Sequence, residues 1–86
     1  MTQNKRGDSV SLALSVLKDM PTGDFALKGD APFYVRNNNA DAVEVELVPL
    51  GNKDNDSVTV LIGGCTELPV LVRKVINAPA GLQWGY

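Results

Sequence analysis

Leu68-Pro-Val-Leu-Val-Arg-Lys-Val-Ile-Asn-Ala-Pro-Ala-Gly-Leu-Gln-Trp-Gly-Tyr86 decides how the rest of the sequence is read. β-Branched residues crowd its first half, Pro79 and Gly81 interrupt it, and Leu82, Trp84 and Tyr86 then alternate with Gln83 and Gly85. Such residues suit a pleated, half-buried surface, and Pro and Gly punctuate it. The stretch predicts a strand, a turn and a closing strand. Its apolar set shifts phase from Val70 and Val72 to Val75 at Arg73-Lys74, where a bulge or a bend fits. An ending this apolar, with Trp84 and Tyr86 on one face and no polar tail, is expected to lock into a sheet or against a partner.

Working outward from there, residues 57–62 put Val58, Val60 and Ile62 on one face, and Gly63-Gly64 ends the run. Residues 51–56 are a polar hairpin loop. Residues 42–50 form the best-patterned strand: Val43, Val45 and Leu47 face a core while Glu44 and Glu46 face water. Val48 and Leu50 fall out of phase beside Pro49, which cannot donate a ladder bond, so a bulge is expected there. The Asn/Asp run 37–41 reads as a tight turn joining strand 33–36 to strand 42–50. Phe33 and Tyr34 point to opposite faces, so one belongs in the core and the other outside.

The N-terminal third is less regular. Residues 25–27 are a short strand candidate closed by 28–32, and Pro21 and Gly23 make 18–24 a connector. In residues 9–17, Val10, Leu12, Leu14 and Val16 alternate with Ser11, Ala13 and Ser15, the period of a half-buried strand. Asp8 or Ser9 would equally cap a short helix, but the clean alternation favours a strand. Residues 1–8 are polar and without period, a flexible arm that orders on a partner. Six to seven short strands with a turn signal about every ten residues predict an all-β fold, a small antiparallel β-sandwich or barrel spanning residues 9–86.

At 86 residues there is room for one domain, and a domain this small buries only about 60–65% of its unfolded surface. Self-association or a partner would compensate. With 44% hydrophobic and 21% charged residues the composition is that of an ordinary globular chain. The net charge is −2 and the eight Lys and Arg are scattered, which argues against a nucleic-acid partner. No stretch approaches the ~20 apolar residues of a membrane span. Lys5-Arg6 precedes an apolar run, but serines interrupt it and no small-residue cleavage site follows, so no cleavable signal peptide is expected.

None of the candidate reaction centres in the sequence is complete. The single cysteine, Cys65, excludes an internal disulfide and a cysteine-based zinc site, and the chain has no histidine to activate it. Cys65 reads as a small buried or loop hydrophobe, with a disulfide to a second copy as the alternative. Asp54-Asn-Asp56 starts like a calcium loop but lacks its glycine, and its twelfth position is Cys65. Glu44 and Glu46 project from one strand face rather than across a cleft, and Glu67 is assigned to a loop. Ser15-Val-Leu-Lys18 matches a Ser-x-x-Lys spacing without its companion motifs, and Gly63-Gly64 has no phosphate-loop context. No catalytic, metal-binding or cofactor-binding residue is expected, and no enzyme activity.

The short aromatic strand segments Phe25-Ala-Leu27 and Phe33-Tyr-Val35, and the ending Leu68-Pro-Val-Leu-Val-Arg-Lys-Val-Ile followed by Leu82-Gln-Trp-Gly-Tyr86, resemble small phage virion proteins of the spike-base and head or tail decoration type. In that pattern a short arm precedes the first strand and a central hairpin precedes the ending. The departures are Pro79, where the family carries a Gly/Thr turn, and the more polar loop 51–56. The resemblance implies a homo-oligomer located in the virion, made in the host cytoplasm and docked on other virion proteins, with no catalytic residues. Under it, the 1–8 arm, or the arm together with strand 10–17, would dock on a neighbouring subunit by ordering or strand addition. The interface candidates are then Val10, Leu12, Leu14, Tyr34, Trp84 and Tyr86. The competing reading is a carbohydrate-binding or adhesion module, for which Tyr34 or Trp84 would lie in a concave patch beside Asn and Asp side chains.

Overall fold

The computed structural model describes residues 14–86. These form seven antiparallel strands in one open sheet and no α-helix. The strands are β1 (Leu17–Asp19), β2 (Gly23–Phe25), β3 (Phe33–Asn37), β4 (Val43–Pro49), β5 (Val58–Ile62), β6 (Thr66–Ala78) and β7 (Leu82–Gly85). Their order in the sheet is β1-β7-β3-β6-β4-β5, with β2 paired to β6 off that path. The expected all-β antiparallel fold is present, as a single continuous sheet whose two arms share one hydrophobic cluster.

Three local expectations are corrected. The run 37–41 does not close a hairpin between β3 and β4, because β6 lies between them. Likewise β6 and β7 do not pair with each other across residues 79–81, since β3 separates them. Of the strand expected at 9–17, residues 9–13 lie outside the described residues; 14–16 precede β1, which runs on into the expected connector. Residues 15 and 16 are nonetheless tied to the closing segment: both amides donate to the Tyr86 carbonyl oxygen, at 2.8 and 2.9 Å, and the Tyr86 amide donates to Val16 at 3.1 Å.

β6 is the spine of the molecule. It pairs with β3 over Thr66–Val72, with β4 over Val72–Ile76 and with β2 over Val75–Ala78. A strand that serves three partners must bend, and β-bulges supply the bends. Opposite β4, Val48 pairs with Lys74 and Pro49 with Val72, which leaves Arg73 as an extra residue. The two sequence signals for a bulge, near Pro49 and at Arg73-Lys74, therefore mark one irregularity seen from both strands. Opposite β2, Asp24 faces both Ile76 and Asn77; Asn77 has φ +52°, and its amide donates to the Asp24 carboxylate at 2.9 Å. Each bulge resets the pleat, so Val72, Val75 and Ala78 are all buried although they are spaced by three rather than two.

The core is assembled from both arms of the sheet. Phe33 and Val35 from β3, Val45 and Leu47 from β4, Ile62 from β5, Val72 and Val75 from β6 and Leu82 from β7 are all buried in one cluster. Phe33 is buried and Tyr34 half-buried on the opposite face, as the alternation predicts. Gly85 is buried where residues 14–16 cross β7; a Cβ there would collide with the Val16 carbonyl oxygen and crowd Leu14. A glycine at this position is what permits the close approach.

Candidate functional site

Three surfaces emerge from this frame. The first is a polar row on the outer face. Strand register places Asp19, Gln83, Arg36 and Glu67 directly opposite one another across β1, β7, β3 and β6. Arg36 donates to Glu67 at 3.1 Å, to Gln83 at 3.1 Å and to Asn38 at 2.7 Å, and Gln83 donates to Asp19 at 3.3 Å. Glu67 thus belongs to β6 and to an ion pair rather than to a loop. Donors and acceptors in this row satisfy one another, so its chemistry is cross-strand cohesion.

The second is an aromatic row on the inner face. Phe33 meets Phe25 edge-on with centroids 5.4 Å apart, Phe25 lies 5.7 Å from Trp84, and Trp84 stacks on Tyr86 at 6.0 Å and 26°. The row climbs from the buried Phe33 to Tyr86, which is 54% exposed. Trp84 and Tyr86 share a face as expected. Tyr34 does not join them: it pairs with Gly85 while its neighbour Val35 pairs with Trp84, so it lies on the other side of the sheet. The structure thus divides the interface candidates. Trp84 and Tyr86 are on the inner face, Tyr34 is on the outer face opposite Gly85, and Leu14 is half-buried beside Gly85. Val10 and Leu12 lie outside the described residues.

The third is β5, which among the described residues pairs only with β4 and so forms a sheet edge. Its five residues, Val58-Thr-Val-Leu-Ile62, carry no charge and no proline. Leu61 projects outward opposite Glu44 and is 67% exposed. Edge strands are ordinarily blunted by charge, by proline or by bulges. Among the described residues the opposite edge is β1, which has Lys18 and Asp19 among its three residues. Glu44 and Glu46 are exposed on β4, and Glu46 accepts a hydrogen bond from Ser57 at 2.6 Å.

Asn37, expected in a turn, instead ends β3 fully buried. Its Nδ2 donates to the carbonyl oxygens of Asp41, Ile62 and Gly63 at 2.9, 3.1 and 3.2 Å. Its Oδ1 accepts from the Asn39 amide at 2.9 Å and from Asn39 Nδ2 at 3.0 Å. The alternation Phe33, Val35, Asn37 was the available signal, because it puts Asn37 on the inner face. Cys65 is exposed, with φ +56°, and its thiol donates to the Asn39 carbonyl oxygen at 3.6 Å. In the loop between β4 and β5, Arg73 donates to Asp54 and to the Asn52 carbonyl oxygen, and Asn52 donates to Asp56 at 3.0 Å. Among the described residues no three His, Cys, Asp or Glu side chains gather as a metal site would require.

A scan against protein-family models finds no match to this chain, and neither does a search of the curated proteins or of the solved structures.

Proposed function

We propose that the chain is a non-enzymatic structural and assembly protein of a phage-like particle, a capsid-decoration, fibre or spike-base component. It works by oligomerising and by docking on other virion proteins, and its place is the virion. The observation that carries this reading is the distribution of apolar surface. Leu17, Leu50, Leu61, Val70 and Tyr86 are each at least 40% exposed on a chain whose core is thin. Val70 is out because β6 has two residues more than β3 between the Phe33–Val72 and Val35–Leu68 pairs. Exposed apolar side chains and an unguarded edge suit a subunit that finishes burying itself in an assembly. No reaction step is needed, since the work is the burial of surface.

The test is the solution mass by light scattering, for the full chain and for a chain beginning at Asp8. The expected result is a mass above the 9.2 kDa of one chain that falls on dilution, with a lower mass after loss of the arm. A strict monomer, indifferent to the arm, would overturn the reading.

The carbohydrate-binding alternative draws on one feature, the stacked Trp84–Tyr86 pair with its outer ring exposed. Tyr34 lies on the other face and Asn37 is buried, so neither joins that pair. Binding of a soluble monomer on a glycan array would favour this alternative.

A further inference from the structure

The geometry points to the β5 edge as the contact through which two copies of this chain pair, antiparallel and about a twofold axis through Val60. The inference rests on the assembly reading and names its surface.

The register makes the strand complementary to itself. A twofold axis at Val60 sets Val58 opposite the partner's Ile62, Thr59 opposite the partner's Leu61, and Val60 opposite the partner's Val60. Within one chain β4 already pairs Val43 with Ile62, Val45 with Val60 and Leu47 with Val58. The joined sheet therefore carries an inner-face row Val45–Val60 that continues into the partner's Val60 and the partner's Val45. The flanking row Val43–Ile62 continues into the partner's Val58 and the partner's Leu47. Every inner-face row across the junction is aliphatic, the kind of cross-strand neighbour that stabilises a sheet.

Charge is compatible with the same arrangement. On the outer face Glu44 pairs with Leu61 and Glu46 with Thr59, so each row across the junction has a carboxylate only at its two ends. Three strand spacings separate those ends, roughly 14 Å. That exceeds the ~8 Å over which exposed charges act at physiological salt. Asp56 falls opposite the partner's Gly64, so no like charges meet at the ends of the strand either. An isologous pair of this kind closes on itself and does not propagate. The contrast with β1, where Lys18 and Asp19 guard the other edge, is what singles out β5.

The experiment places charge at the two outer-face positions that meet across the axis. Thr59 and Leu61 are exposed, so T59K/L61K and T59E/L61E leave the core untouched. Each variant alone sets two like-charge pairs across the junction. Both are expected to show the circular dichroism of the parent sheet with the apparent mass halved, T59E/L61E with a lower unfolding midpoint because its new carboxylates also face Glu44 and Glu46 of their own chain. An equimolar mixture is expected to regain the parent mass as a heterodimer, which a misfolded pair would not do. If both variants keep the parent's oligomeric mass, this edge is not the contact and the assembly reading stands on another surface. A parent chain that is monomeric at every concentration overturns both.

Discussion

Asn37 carries more of this fold than its position in an Asn/Asp run suggests. One buried carboxamide meets the carbonyl oxygens of Asp41, Ile62 and Gly63, from two separate segments, and two donors of Asn39. Asn37→Ala leaves the Ile62 carbonyl oxygen, the buried one of the three, without its side-chain donor, while Asp41 and Gly63 are exposed and reach solvent. A buried unsatisfied group costs about 1–3 kcal/mol, so a loss of about that size is expected. Urea denaturation monitored by circular dichroism measures it; a change under about 0.5 kcal/mol would mean that the carbonyl finds another partner. The backbone of Tyr86, rather than its largely exposed ring, ties residues 15 and 16 to the sheet.

At the scale of elements, β6 shows how one strand serves three neighbours. Its bulge at Arg73 both re-phases the core residues and aims a guanidinium at the loop between β4 and β5. Arg73 is mostly buried while Asp54 is exposed, and the ion pair between them sits beside a bond to the Asn52 backbone. The two partners should therefore respond unequally. Arg73→Ala removes side-chain packing and the backbone bond together and is expected to cost about 1–2 kcal/mol. It should also speed proteolytic nicking within residues 51–56. Asp54→Asn, the exposed half of a surface pair, is expected to cost less than about 1 kcal/mol. Equal effects would show that the ion pair alone holds the loop.

At the scale of the molecule, the pairings that complete the sheet join distant parts of the chain. Leu17 pairs with Gly85, Val35 with Trp84, and the core joins both arms. Among the described residues only β4 and β5 form a local hairpin. Loop-closure entropy must be met before these contacts form, so refolding in milliseconds to seconds is expected. Trp84, half-buried between Phe25 and Tyr86, is the natural fluorescent reporter in a stopped-flow measurement. Refolding within microseconds would contradict this account of the topology.

The sequence by itself determined the all-β class, the strands β3, β4, β5 and β7 nearly in full, the alternation of Val43, Val45 and Leu47 against Glu44 and Glu46, and the bulge shared by Pro49 and Arg73. Those follow from side-chain direction and missing donors, which act over a few residues. The tertiary structure decided which strands pair. It set β6 between β3 and β4, and β3 between β6 and β7, so neither apparent hairpin closes. Nothing local encodes a neighbour drawn from elsewhere in the chain; the choice depends on burying both arms of the sheet in one core. The same choice left β5 at an edge and Tyr34 on the far face from Trp84. It also drew Asn37 inward, where a polar side chain is tolerable only because every group it meets is a partner.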